Sequence, residues 1–196
     1  MTTSVKQLIT LCALLALCFL ASGAPARADL SAAAQVSDAQ IGPGEFQYDI
    51  TLTDSGTTKV GTFWFSWVPG QDFMPVSPTA VLAPSSWAEK ITNGGTADGF
   101  AIQFVAGSGD ALGAGESLSG FQFDSTMTPA QLEGLSRFHP TFPVLTSFAY
   151  IGAPFGDPGE EFEATVPPTS TSEPATLLLT ALGIGMLALH RRASLA

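Results

Sequence analysis

Cysteine is absent beyond position 18, and the only two cysteines, Cys12 and Cys18, lie within an apolar N-terminal run. A chain that loses this run on export can form no disulfide, and it offers no thiolate to a metal ion or a substrate. Histidine is nearly as scarce, because His190 lies close to the C-terminus and His139 is the only other one. A single histidine supplies no zinc cluster, and we interpret it as a loop residue rather than a catalytic base.

Basic residues are also few, since seven Lys and Arg stand against 17 Asp and Glu, for a net charge of -10. Four of these seven bases fall in the terminal segments, so that only three serve the middle of the chain: Lys59, Lys90 and Arg137. An acidic surface of this kind repels phosphate backbones and anionic lipid. We therefore expect no nucleic-acid partner.

No residue spacing in the middle of the chain matches a catalytic motif. The segment most similar to a nucleophile elbow, residues 115–120, lacks the Gly-x-Ser-x-Gly spacing and precedes a strand pattern rather than a helix. Carboxylates are numerous, but nothing in their spacing selects the facing pair that a glycosidase needs. We predict a protein that is not an enzyme and keep a hydrolase as the third alternative.

The first 28 residues have the three parts of a signal peptide. A basic start at Lys6 precedes an apolar run over residues 8–21, and the segment ends in Ala26-Arg27-Ala28. Signal peptidase accepts small side chains at two positions, so we expect recognition of Ala26 and Ala28 and cleavage before Asp29. The alternative is an uncleaved N-terminal membrane helix.

The C-terminal segment, residues 173–196, begins with Glu173-Pro174, continues with an apolar stretch over residues 175–189 and then reaches Arg191-Arg192. A helix of that apolar length would rise about 22 Å, less than the roughly 30 Å of bilayer hydrocarbon. The pattern predicts a short transmembrane helix with its arginines on the cytoplasmic side and the body of the protein outside.

This ending resembles the PEP-CTERM sorting signal of Gram-negative and related bacteria. The resemblance covers only about the last 25 residues, and Ser172 stands where that signal usually has its first proline. It implies recognition by an exosortase through Glu173 and Pro174, with Arg191 and Arg192 as the stop. It also implies export through the inner membrane, transient anchoring by the tail, and a place at the cell surface or in an exopolysaccharide matrix. An ordinary tail anchor is the alternative.

Residues 165–172, rich in proline, threonine and serine, cannot pack a core and are expected to form an extended stalk. The intervening residues, 29–164, are predicted to form the ectodomain.

The ectodomain sequence has the period-two alternation of β-strands, separated by turns rich in Gly, Pro, Asn and Asp. The clearest strand covers residues 45–53, and a second, apolar on both faces, covers residues 60–68. Alternating aromatics predict further strands around Phe104 and Phe123, and Gly120 suggests a bulge. The fold class predicted is an all-β antiparallel β-sandwich, immunoglobulin-like or jelly-roll-like, flanked by the signal-peptide helix and the transmembrane helix.

Two sets of residues are candidates for binding. Trp64 and Trp87 could stack on sugar rings if exposed, with structural burial as the alternative. Asp157, Glu160 and Glu161 place three carboxylates on one turn and could ligate Ca²⁺, with a solvated acidic turn as the alternative.

The leading functional prediction is a structural or adhesive protein associated with exopolysaccharide. The alternative is a carbohydrate-binding or calcium-dependent binding module.

Overall fold

The computed structural model describes residues 29–167, which contain eleven strands and one short helix, α1 (Pro129–Leu132), between the ninth and tenth strands. In chain order the strands are β1 (Ala32–Gly42), β2 (Glu45–Asp54), β3 (Thr62–Phe65), β4 (Trp67–Val68), β5 (Gln71–Asp72), β6 (Ala80–Leu82), β7 (Trp87–Asn93), β8 (Phe100–Ala106), β9 (Ser117–Ser125), β10 (Thr146–Tyr150) and β11 (Glu160–Glu163).

Two antiparallel sheets face each other. One has the strand order β1-β2-β9-β6, the other has the order β11-β10-β3-β8-β7, and β4 and β5 form a small separate ribbon. Aromatic rings from the two large sheets meet in the core: Phe63 lies 5.7 Å and Phe104 4.9 Å from Phe121 between ring centroids. Edge-to-face ring pairs of this kind add to the stabilisation from apolar burial. The predicted antiparallel β-sandwich is confirmed, while the choice between immunoglobulin-like and jelly-roll-like topology stays a prediction.

The alternation predicted for residues 45–53 determines which face of β2 packs against the core. Tyr48, Ile50 and Leu52 are buried in β2, whereas Asp49 between them is exposed. The predicted bulge is also present, because Gly120 has a φ of 97° and the register between β2 and β9 shifts there. A positive φ is readily adopted by glycine, which explains that residue at this point.

The single strand predicted over residues 60–68 is wrong in one respect. Ser66, with a φ of 62°, interrupts it and separates β3 from β4. Strict alternation over residues 60–68 predicts Trp67 on the same face as Phe63 and Phe65, but the left-handed Ser66 breaks this alternation. Trp67 lies beside Trp64 on the opposite face of the sheet, with 4.1 Å between the ring centroids.

The sequence of three strands, β1, β6 and β7, does not show the alternation that predicts a strand. In β1 the inward residues Ala32 and Ala34 are small and the distal half is exposed, while β6 has only three residues. The third, β7, begins at Trp87, which follows Pro84 and two serines, a pattern that predicts a loop at this position.

Thr128-Pro129-Ala130-Gln131 resembles a capping box with proline at the first helical position, which predicts one short helical turn, and this turn is present as α1. The Thr128 side chain accepts from the Gln131 backbone N–H, and the Gln131 side chain accepts from the Thr128 backbone N–H, which is a complete capping box. Leu132 is buried, and the neighbouring Met127 carbonyl accepts a 2.6 Å hydrogen bond from the Tyr48 hydroxyl. These contacts tie the segment between β9 and β10 to the core.

The chain divides into two compact units, Met1–Thr165 and Val166–Ala196. Only residues 166 and 167 of the second unit are described. The last residue of the first unit is hydrogen bonded to β1, an edge strand of the four-stranded sheet. The Thr165 N–H donates to the Ala34 carbonyl over 2.9 Å.

Candidate functional site

An aromatic cluster covers the face of the five-stranded sheet that points away from the other sheet. We define this outer aromatic cluster as Trp64, Trp67, Phe148, Tyr150 and Phe155. Trp64 and Trp67 stack at an interplanar angle of 22°, and Phe148 meets Trp67 edge-on with 5.7 Å between centroids. The left-handed Ser66 makes the stack possible, because it turns Trp67 back onto the side of the sheet that Trp64 occupies.

Two buried polar atoms in and beside this cluster have no hydrogen-bond partner among the described residues: the Trp64 Nε1 and the Ser66 Oγ. An indole N–H that is buried without an acceptor costs free energy relative to one that is hydrogen bonded. The hydrogen-bonding capacity of these two groups is therefore not satisfied by the described residues.

Phe155 is the exposed member of the cluster. Its ring centroid lies 5.7 Å from that of Tyr150, 5.9 Å from Trp67 and 6.3 Å from Trp64, yet 68% of the residue surface remains accessible to solvent. Its φ is 63°, a conformation that is uncommon for a bulky side chain. The chain thus holds an aromatic ring at the surface, on top of buried rings, in a backbone conformation that it does not prefer.

The two tryptophans predicted to contact sugar are both buried, Trp64 at 5% and Trp87 at 7% exposure. They also lie apart in the fold, because Trp64 belongs to the outer aromatic cluster whereas Trp87 packs edge-on against Phe121 between the sheets, 5.1 Å between centroids. They do not form an exposed groove, and structural burial is the interpretation that fits both. Sequence reasoning missed Phe155, although an aromatic in a Gly- and Pro-rich segment, with no strand neighbours to bury it, is a usable signal.

The three carboxylates considered for calcium are not brought together around one point. Asp157 is occupied locally, since its Oδ2 accepts from the Ile151 N–H over 3.0 Å and its Oδ1 from the Gly159 N–H over 2.9 Å. Glu160 and Glu161 are adjacent in β11, so their side chains point to opposite faces of the sheet. Within residues 29–167 no group of three or more His, Cys, Asp or Glu side chains could hold a metal ion.

A second candidate is a cleft of about 270 Å³ beside the segments that precede β3 and follow β8 and β10. Its walls are mostly backbone and small side chains, and Lys59 is the one charged residue that lines it. Two of its glycines make close approaches: a Cβ at Gly61 would lie 2.6 Å from the Ile151 carbonyl, and one at Gly107 would lie 2.9 Å from the Ser86 carbonyl.

A polar cluster joins the β4–β5 ribbon to the loop before β10. His139 Nε2 lies 2.8 Å from Asp98 Oδ1, and the same oxygen accepts from the Asp72 N–H over 2.9 Å. Burial raises the pKa of Asp72, although the Thr92 hydroxyl donates to it. Because His139 and Asp98 hold each other and the backbone, we interpret this cluster as structural.

The residues assigned to export and sorting lie outside the described residues: Ala26, Ala28, Glu173, Pro174, Arg191 and Arg192. Among the described residues, no helix has the length and apolarity required to span a membrane.

The fold and these sites define an antiparallel β-sandwich with an aromatic surface and a small cleft. No protein-family model matches the sequence, and no curated protein matches it.

Similar solved structures include a GH20 exo-β-N-acetylglucosaminidase from Vibrio harveyi, with 10% identity and a TM-score of 0.40 over 70% of this chain. This chain spans only 18% of that enzyme's length. The chitin-binding domain of Chi18aC from Streptomyces coelicolor is similar over 71% of this chain and 98% of its own, with 18% identity and a TM-score of 0.36. A CBM3 of Hungateiclostridium clariflavum is similar over 71% of this chain and 100% of its own, with 9% identity and a TM-score of 0.40. At these scores, function has to be argued from the sites themselves.

Proposed function

We propose that this protein is an exported, non-catalytic adhesion module that binds polysaccharide outside the cell, with Phe155 as its contact residue. The observation that carries the proposal is the exposed Phe155 ring supported by the buried rings of Trp64, Trp67 and Tyr150. A flat apolar ring that is fixed from below matches the apolar face of a sugar ring, which is a recurring use of aromatic side chains.

The energetics favour a functional origin for this arrangement. Burying a phenylalanine side chain contributes about 1.5–3 kcal/mol, and a ring that is 68% exposed forgoes most of that gain. The left-handed backbone adds a cost of about 1–2 kcal/mol in an L-residue other than glycine. Strained residues of this kind cluster at binding sites, where the surrounding structure holds them in place.

Export and sorting form the second part of the proposal. They are supported by the signal-peptide pattern that ends at Ala28 and by the likeness of residues 173–196 to an exosortase signal. Thr165 is hydrogen bonded to the edge of the sheet, so the stalk predicted over residues 165–172 would begin after it, and it would hold the sandwich away from the membrane until the tail is processed. The partners proposed are the exosortase and a matrix polysaccharide.

The adhesion proposal predicts that Phe155→Ala weakens retention on insoluble polysaccharide at least tenfold, because the ring that contacts the sugar is removed. A tenfold change corresponds to about 1.4 kcal/mol, within the range of a single binding hot spot. The measurement is a depletion isotherm of the full-length chain on chitin, on cellulose and on exopolysaccharide purified from the native host. Phe155→Tyr should retain binding because it keeps the ring.

Leu82→Ala is the matched control, since Leu82 is 56% exposed on an edge strand of the other sheet. It removes a similar exposed apolar side chain and should leave retention unchanged. Equal retention of the wild type and Phe155→Ala, with both folded, would remove Phe155 from the binding surface. Absence of retention on all three polysaccharides would contradict adhesion itself.

A further inference from the structure

The cleft of about 270 Å³ is distinct from the Phe155 surface in its chemistry, because no aromatic side chain lines it. Pockets for drug-sized ligands typically measure about 300–1,000 Å³, so this cleft suits one sugar ring or the end of a chain. Gly152 on its wall has room beside it, since a Cβ added there would meet no atom within 4 Å.

The walls of the cleft offer hydrogen-bond donors. The backbone N–H groups of Ser108, Gly109, Gly152 and Ala153 donate to no acceptor among the described residues. Backbone donors in native structures are normally paired with protein or with water, so these four are open to an acceptor from outside. Two of them come from the turn after β8 and two from the segment after β10, which places donors on both sides of the cleft.

The single charge that lines the cleft is positive. Lys59 is one of three bases between residues 29 and 172, and it forms no ion pair with any described residue. Asp110 does not line the cleft but lies beside Gly107, which does: its Oδ2 would be 3.0 Å from a Cβ placed on Gly107. The set therefore combines an ammonium group, several N–H donors and one carboxylate acceptor.

We propose that this cleft binds a uronate, the carboxylate-bearing sugar residue of an acidic polysaccharide, with Lys59 pairing its carboxylate and locally offsetting the repulsion expected from the acidic surface. A carboxylate is an acceptor only, which suits the four unpaired N–H donors, and its ion pair with a lysine strengthens the hydrogen bond. The ring hydroxyls also need an acceptor, and Asp110 supplies one. This inference deepens the proposed adhesion by naming a sugar class, and it assigns that class to a second site.

The test is a titration of the ¹⁵N-labelled full-length chain with sodium glucuronate, glucose and sodium acetate, followed by amide chemical shifts. We expect glucuronate to shift the amides of Ser108, Gly109, Gly152 and Ala153 with at least tenfold tighter affinity than glucose or acetate. Acetate that binds as tightly as glucuronate would reduce the cleft to a general anion site. Equal binding of glucose would remove the role of the carboxylate, and either result overturns the proposal.

Lys59→Gln should weaken glucuronate binding at least tenfold, whereas Lys90→Gln should leave it unchanged. Lys90 is an exposed base on β7, so the two variants change the net charge equally and differ only in position. A second variant, Gly152→Leu, fills the cleft without a backbone clash and should abolish binding with the fold intact. Equal weakening by both lysine variants would assign the effect to overall charge and contradict the site.

Failure of this inference can be told apart from failure of the adhesion proposal. Phe155→Ala should leave glucuronate binding intact, because Phe155 does not line the cleft. If no amide at the cleft responds while retention on polysaccharide still depends on Phe155, only the uronate site is wrong. If glucuronate binds while Phe155→Ala retains full adhesion, Phe155 is not the contact residue, and the uronate site in the cleft is still supported.

Discussion

Ser66 shapes the outer aromatic cluster through its backbone conformation. Its left-handed backbone ends β3 and reverses the side of the sheet on which Trp67 falls. Its carbonyl accepts from the Phe73 N–H over 2.9 Å, while its buried hydroxyl has no partner among the described residues. The left-handed backbone of Ser66 is required for this turn, whereas its hydroxyl makes no contact that the turn needs.

At this residue we predict that Ser66→Gly raises the free energy of unfolding by about 1 kcal/mol. Glycine removes both the left-handed strain and the unpartnered hydroxyl, and these gains exceed the extra chain entropy that it must lose. The measurement is urea unfolding, with the same m-value, the slope of the free energy of unfolding against urea concentration, fitted to both proteins.

Two controls belong with that prediction. Ser66→Val should destabilise the protein, since a β-branched side chain opposes a φ of 62°. Ser86→Gly, at an exposed left-handed serine with a φ of 72°, tests the effect of strain without a buried hydroxyl. A Ser66→Gly variant less stable than the wild type would show that the hydroxyl is hydrogen bonded, for example to water.

At the scale of elements, the segment between β9 and β10 depends on one capped helical turn. The Thr128–Gln131 capping box fixes α1, and α1 in turn places Leu132 in the core. A helix of four residues has almost no stability of its own, so its geometry depends on the cap and on tertiary contacts.

We therefore predict that Thr128→Ala lowers the free energy of unfolding by about 1 kcal/mol, the usual cost of losing an N-cap hydroxyl. Thr128→Ser keeps the hydroxyl and should restore most of this loss. Thermal unfolding followed by tryptophan fluorescence would measure both variants. An unchanged midpoint for Thr128→Ala would mean that the core contacts of Leu132 and Met127 hold the segment without its cap.

At the scale of the whole molecule, we propose that the two terminal segments direct the acidic sandwich to the outside of the cell. We predict a mature chain that begins at Asp29 and ends at or near the Glu173-Pro174 dipeptide in a host that has an exosortase. Mass spectrometry of both termini, in hosts with and without that enzyme, makes the measurement. A C-terminus at Ala196 in both hosts would contradict sorting and leave an ordinary tail anchor.

The sequence by itself determined the sandwich, the course of β2 and β8, the bulge at Gly120 and the cap at Thr128. Each depends on a local rule: alternation, the φ of glycine, or a side chain that reaches its own backbone. These features involve residues close in sequence, so a single chain is enough to predict them.

Only the tertiary structure decided which aromatic residues face solvent. Trp64 and Trp87 are both buried: Trp64 packs against Trp67 and the distant Phe155, and Trp87 packs against the distant Phe121. Phe155 and the cleft at Lys59 depend on where the turns after β8 and β10 come together. Burial is set by contacts between distant segments, and a single left-handed residue such as Ser66 is enough to reverse the periodic pattern from which burial was predicted.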